Sequence, residues 1–214
     1  MNNGTDMRGR ILQAATELFF SYGIRSITMD DIARHLSISK KTIYQFFEDK
    51  DEIVQTLCHI DCDQNVLTMQ QISDQSKDAI DEIMQSMEFL AAVLSRLNPN
   101  LIYDLQKFHP AAWSEFQKFR EDHLKGSVEK NLRKGIRQGY YRSEINVKIL
   151  ARLRIEEVVL GMNPIIYPPS NFNLREVELE LLVHFLYGII TLEGLKLLND
   201  YKTKKKIKKL KVLA

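Results

Sequence analysis

The side chains best placed to do chemistry are Lys40, Lys41, Thr42, Tyr44 and Gln45, directly after Ser39. Two cations, two hydroxyls and an amide within about two turns of helix suit a polyanion with readable edges. Cations and the free N–H groups of a helix start bind phosphates, and short or forked polar side chains on an exposed face read base edges. From Ile32 to Phe47 there is no acid, while Arg34, Lys40 and Lys41 are basic.

Two short helices must position this face. The first starts at Thr28, whose hydroxyl can cap a free N–H, with Asp31 in a capping-box position. Ile32, Ala33 and Leu36 form its apolar face at helical spacing. Ser37-Ile38-Ser39 breaks it, Ile38 plugging the core and Ser39 capping the second helix. That second helix turns Ile43, Phe46 and Phe47 inward. A further helix starts at Asp49-Lys50-Asp51-Glu52, again with a capping box. Lys50 lies in its first turn, where the helix dipole disfavours a cation, so another electrostatic reason for it is expected. This is the layout of a helix-turn-helix that enters the major groove. The simpler alternative is a helical hairpin with a solvated lysine pair.

The first ~65 residues resemble the DNA-binding domain of the TetR family of bacterial transcription regulators. Arg10 to Ala15 with Leu18-Phe19 is similar to that family's first helix, Tyr22-Gly23-Ile24-Arg25 to its turn, and Thr28 to Ala33 to its second helix. Ser39 to Phe47 resembles its recognition helix, and Lys50-Asp51-Glu52-Ile53 the start of its fourth. The resemblance implies that Ser39, Lys40, Lys41, Thr42, Tyr44 and Gln45 face the groove or its phosphate walls, and that Thr28 and Lys50 touch backbone phosphates. Ser37 departs from the family's usual glycine. A positive φ there costs serine about 1 kcal/mol or more relative to glycine. Lys41 also stands where many members have glycine, adding a charge.

The whole 214-residue chain is 44% hydrophobic and 27% charged, an ordinary globular composition. The net charge is +2, but seven lysines lie between 202 and 211, so the rest carries −5. Cations are thus concentrated at the recognition helix and the tail. The N-terminus has no leader-like pattern, and the longest apolar run, Leu181 to Leu192, is too short to span a bilayer, which needs ~20 residues. A cytoplasmic location is expected.

Helical periodicity predicts helices over 49–73, 78–96, a short one ending at Phe108, one over 110–136, one over 147–162 and a last over 174–201. The expected fold is all-α: a three-helix helix-turn-helix domain (1–50), a larger helical effector-binding and dimerisation domain (51–201) and a lysine-rich tail (202–214). The last two helices, 147–162 and 174–201, are apolar enough to be either a monomer's core or a homodimer interface built as a four-helix bundle. The resemblance implies the dimer, which also suits a palindromic operator in double-stranded DNA.

The resemblance further implies an unknown small-molecule effector. Met84, Met87, Tyr103, Phe108, Trp113 and Phe116 have the character of pocket walls, with Arg154, Glu156 and Glu157 as polar anchors. Taken singly, each fits a packed core better. Cys58-His59-Ile60-Asp61-Cys62 is the one metal-like cluster, but its spacing fits no usual zinc site, and structural thiols are expected. No metal, no cofactor and no membrane partner are expected. No nucleophile, paired-carboxylate or phosphate-loop motif supports an enzyme. The tail reads as a solvated helix end, a non-specific DNA contact, or a weak amphipathic helix through Ile207, Leu210 and Leu213. The expected function is a ligand-responsive dimeric repressor. The alternative is a helical protein-interaction module without sequence-specific DNA binding.

Overall fold

Ile11, Leu12, Ala14, Ala15 and Phe19 recur at helical spacing and are all buried, so the first helix is anchored by one apolar stripe. A computed structural model describes residues 3–204. In order, the helices are α1 (Asn3–Tyr22), α2 (Met29–Leu36), α3 (Lys40–Ile43), α4 (Lys50–Gln75), α5 (Ala79–Leu94), α6 (Leu101–Phe108), α7 (Pro110–Phe119), α8 (Lys125–Arg137), α9 (Val147–Gly161), α10 (Leu174–Ile189) and α11 (Leu192–Lys204). A π-helical turn, Arg120–Leu124, joins α7 to α8. The fold is all-α, with no strand among the described residues.

The stripe of α1 meets Ile32 and Ala33 of α2, Ile43, Phe47, and Ile53 of α4 in one core, which also takes in Leu105 of α6 and Ala112 of α7. Arg8 lies over the Phe47 ring at 4.7 Å. The second core joins Ile80, Met84 and Met87 of α5 to Leu132, Tyr141 and the buried face of α10. Asp78 starts α5 by accepting from the N–H groups of Ile80 and Asp81, and Tyr201 holds its other oxygen. Tyr141 donates its hydroxyl within this core, at 3.2 Å to the Ala79 carbonyl. Its ring lies where a Cβ on residue 135 would stand, which is why that position is glycine.

Two expected elements differ. The helix over 110–136 carries the π-helical turn in its middle, and the helix over 174–201 is two helices. Ile190 is extended and bridges to Tyr141. The Thr191 N–H leaves the ladder for the Tyr140 carbonyl at 2.9 Å, and the Thr191 hydroxyl caps α11 by accepting from Gly194 N at 3.1 Å. A long-range carbonyl thus outcompetes the intrahelical bond. Residues 205–214, including Ile207, Leu210 and Leu213 and most of the lysine-rich tail, lie outside the described residues.

Candidate nucleic-acid interface and effector cavity

The turn before the recognition segment is built by caps. Thr28 and Asp31 form both halves of a capping box: the Thr28 hydroxyl accepts from Asp31 N at 3.2 Å and Thr28 N donates to Asp31 Oδ2 at 2.9 Å. The Thr28 hydroxyl and backbone N–H, with Arg34, hold the Asp31 carboxyl below the usual range. At the other end of α2, Ser37 adopts the left-handed conformation (φ 56°), and Ile38 N reaches back to the Ala33 carbonyl at 3.0 Å. Ser37 is the one non-glycine residue with positive φ among the described residues. Ser37→Gly is therefore expected to stabilise the protein by about 1 kcal/mol, read as a higher denaturant midpoint. An unchanged midpoint would refute the strain.

Ser39 caps α3 by accepting from Thr42 N at 3.1 Å, and its hydroxyl pairs with that of Thr42 at 2.8 Å. Only Lys40–Ile43 is α-helical. A tighter turn succeeds it, with Phe46 N bonded to the Ile43 carbonyl at 2.9 Å. The tightening brings Phe47 inward with Ile43; both are fully buried. Lys40, Lys41, Tyr44 and Gln45 are exposed, with Thr42 half-buried beside them. Lys40 is held by Asp30 Oδ2 at 3.0 Å, the contact that raises its pKa, and it lies over the Tyr44 ring at 6.0 Å. Thr28 is exposed at the start of α2.

Lys50 has a different placement from the one expected. Its ammonium donates to the carbonyls of Ile24 and Ile27 at 3.1 and 3.0 Å, and burial lowers its pKa. These carbonyls close the turn between α1 and α2, so the lysine ties that turn to the start of α4. The opposite side of the same turn is tied to α6, where buried Asp104 accepts from Arg25 N at 3.0 Å.

A cavity of about 530 Å³ lies among α1 and α4 through α10. Of the expected wall residues, Phe116 and Arg154 line it. Met84 and Met87 do not: they are 1% and 3% exposed inside the second core, packed on every side. Tyr103, Phe108 and Trp113 are also absent from its wall. Phe108 lies exposed beneath the Arg25 guanidinium at 5.0 Å, and Trp113 packs against the first core. Glu156 faces away, paired with Arg120 at 2.9 Å, whereas Glu157 stands 3.4 Å from Arg154.

Cys58 and Cys62 line the cavity too. Cys58 donates to the Ala112 carbonyl at 3.3 Å, and the neighbouring Cys58 thiol together with burial pushes the Cys62 thiol far up. No group of three or more metal-ligating side chains assembles among the described residues. Nor is any described helix long and apolar enough to cross a membrane. Sequence reasoning missed Asp61, Asn131 and the contribution of α1 through Thr16, Phe19 and Phe20. The adjacent Phe19-Phe20 pair was the available signal, since only one of two neighbours can face the helical stripe.

Residues 11–57 match the family model of bacterial regulatory proteins, tetR family. An uncharacterised HTH-type transcriptional regulator of Bacillus subtilis, YvaF, is 30% identical over 118 residues, which are 53% of this chain and 60% of that protein. The chain thus spans about three fifths of the length of this curated relative. A TetR-family regulator of Agrobacterium tumefaciens has the same fold, with a TM-score of 0.72 at 15% identity over 87% of this chain and 99% of that one. So does the Thermus thermophilus repressor FadR solved with lauroyl-CoA, at a TM-score of 0.55 and 21% identity over 87% and 94%. The family model begins at Ile11 and ends at Leu57, and so takes in the capping box, the left-handed turn and the outward Lys40–Gln45 face; over this unit the chain is similar to the tetR family of bacterial regulatory proteins.

Proposed function

We propose that the protein is a dimeric, effector-responsive transcription repressor that reads a palindromic operator. The observation that carries this reading is the exposed face Lys40, Lys41, Tyr44 and Gln45, held outward because Ile43 and Phe47 are buried beneath it. Lys41 presents its charge to a phosphate wall. Tyr44 and Gln45 reach base edges, with Thr42 and Ser39 at the N-terminal end of the helix where N–H groups favour a phosphate. Thr28 approaches the backbone at the start of α2. Lys50 acts by fixing the α1–α2 turn that presents Thr28.

The dimer is supported by Ile149, Leu153 and Leu160, which lie on one side of α9 and are exposed. With α10 they supply a second copy with an apolar seam. Paired recognition helices about one DNA turn (~34 Å) apart, or a multiple of it, then match a palindrome. An effector in the cavity touches α1 and α4 together, and so alters the separation of the two readers. It needs to favour one state by ~1–3 kcal/mol. The FadR structure with lauroyl-CoA is a precedent within the fold for a regulator that takes a small molecule. Such a regulator works in the cytoplasm.

The test is in vitro selection from random DNA by the full-length protein beside the Lys41→Ala/Tyr44→Ala variant. Enrichment of one palindrome by the wild type, lost in the variant, is expected. Uniform, steeply salt-sensitive binding without enrichment would replace this reading by a non-specific DNA binder. No DNA binding at all would favour the protein-interaction alternative.

A further inference from the structure

Three charged side chains line the cavity: Asp61, Glu82 and Arg154. Two of them already have opposite charges beside them. Glu82 Oε2 accepts from Lys134 Nζ at 2.8 Å. Arg154 stands 3.4 Å from Glu157 Oε2, and Glu178 is near enough to act on it. Asp61 differs. Its one hydrogen bond is from the Asn65 amide at 3.0 Å, and no cation is ion-paired with it among the described residues.

Asp61 keeps access to solvent, yet the protein packed around it removes part of its hydration, which raises its carboxyl pKa against the Asn65 hydrogen bond. The rest of the wall is largely apolar. Phe19, Phe20, Phe116 and Phe119 are part of it, and the face of an aromatic ring carries negative quadrupole charge. A neutral occupant would strip water from Asp61 and leave its charge without a partner, and an anion would add repulsion. A cation does the opposite on both counts: it compensates the carboxylate and is attracted by the rings.

We propose that the cavity takes an organic cation, a protonated amine or quaternary ammonium on an apolar body, with the charge seated at Asp61. This rests on the reading of the cavity as the effector site. Its volume of about 530 Å³ falls within the range that encloses a drug-sized molecule. Asp61 lies on α4, the helix that leaves the DNA-reading unit, so the occupant's charge acts on the connector itself.

The test uses the full-length protein and three probes with one body: phenylbutylamine, phenylbutanol and phenylbutyrate, titrated by calorimetry without DNA. The amine is expected to bind about tenfold or more tightly than the alcohol, and the acid most weakly. Asp61→Asn, nearly isosteric, is expected to erase the amine's advantage while leaving the alcohol unchanged, with thermal melts confirming that it folds. Asp61→Glu keeps the charge and is expected to keep the preference. An amine preference that survives Asp61→Asn, tighter binding of the acid, or binding by none of the three in the millimolar range would each overturn the proposal. Operator affinity is measured separately. Asp61-dependent amine binding that leaves operator affinity unmoved would sustain the site and sink the regulatory reading instead.

Discussion

Replacing both Ile149 and Leu153 by glutamate is expected to split the proposed dimer and to lower operator affinity by more than about a hundredfold. The two residues are 63% and 47% exposed, one turn apart on α9, and Leu160 continues the same side. Fully burying one such side chain is worth about 1.5–3 kcal/mol, and a two-fold interface uses each residue twice. Every ~1.4 kcal/mol is a factor of ten. The substitution also brings like charges together across the axis. Because both side chains already face solvent, the fold of the single chain should survive, with an unchanged helical signal. Light scattering reads the mass directly. A variant that remains dimeric would move the interface away from α9.

The second large effect concerns Glu178 on α10. It is fully buried, and neither carboxyl oxygen has a hydrogen-bond donor. It fits against α9 only because residue 161 is glycine, since a Cβ there would collide with the carboxylate. Burial pushes its pKa up to about 8, with Glu157 adding to the rise and Arg154 opposing it. His184 acts on Glu157 from α10. The folded pKa is raised above the ordinary 4.5, so the folded state keeps a proton that the unfolded chain releases. The associated stability is fully present below about pH 4.5 and is lost as pH rises to about 8. Glu178→Gln, which keeps the shape, should flatten that decline by up to about 1.4 kcal/mol per pH unit and leave the variant more stable in mild alkali. The check is a set of thermal melts across pH at one protein concentration. Parallel curves for the two proteins would show that Glu178 ionises freely in the fold.

The helix-turn-helix unit was legible because its determinants are local. Thr28 and Asp31 are three residues apart, Ser39 and Thr42 likewise, and Ile43 and Phe47 one turn apart; caps and periodicity act within that range. Even the departure at Ser37 was readable as a strained turn, and the serine holds its positive φ. Lys50 stands out in the sequence as an odd cation, but its partners, the carbonyls of Ile24 and Ile27, are distant along the chain. The cavity was legible only in Phe116 and Arg154. A cavity forms where helices fail to close, and that depends on tertiary packing, not on residue type. Met84 and Met87 therefore looked like walls and are core. Asp61 was hidden inside a run whose two cysteines suggest metals. The break at Thr191 depends on Tyr140, some fifty residues away.

The first core does not end where the recognition unit ends. Leu105 and Ala112 pack with Ile11, Ile43 and Phe47, and Asp104 and Asn98 grip the backbone of the α1–α2 turn and of Ser21. The helix-turn-helix unit is therefore not a detachable cartridge. A graft of the first fifty residues onto a foreign sensor would leave behind part of its own keel. A chimera that transplants α6 and α7 along with α2 and α3 would keep it, and would carry with it part of the cavity wall.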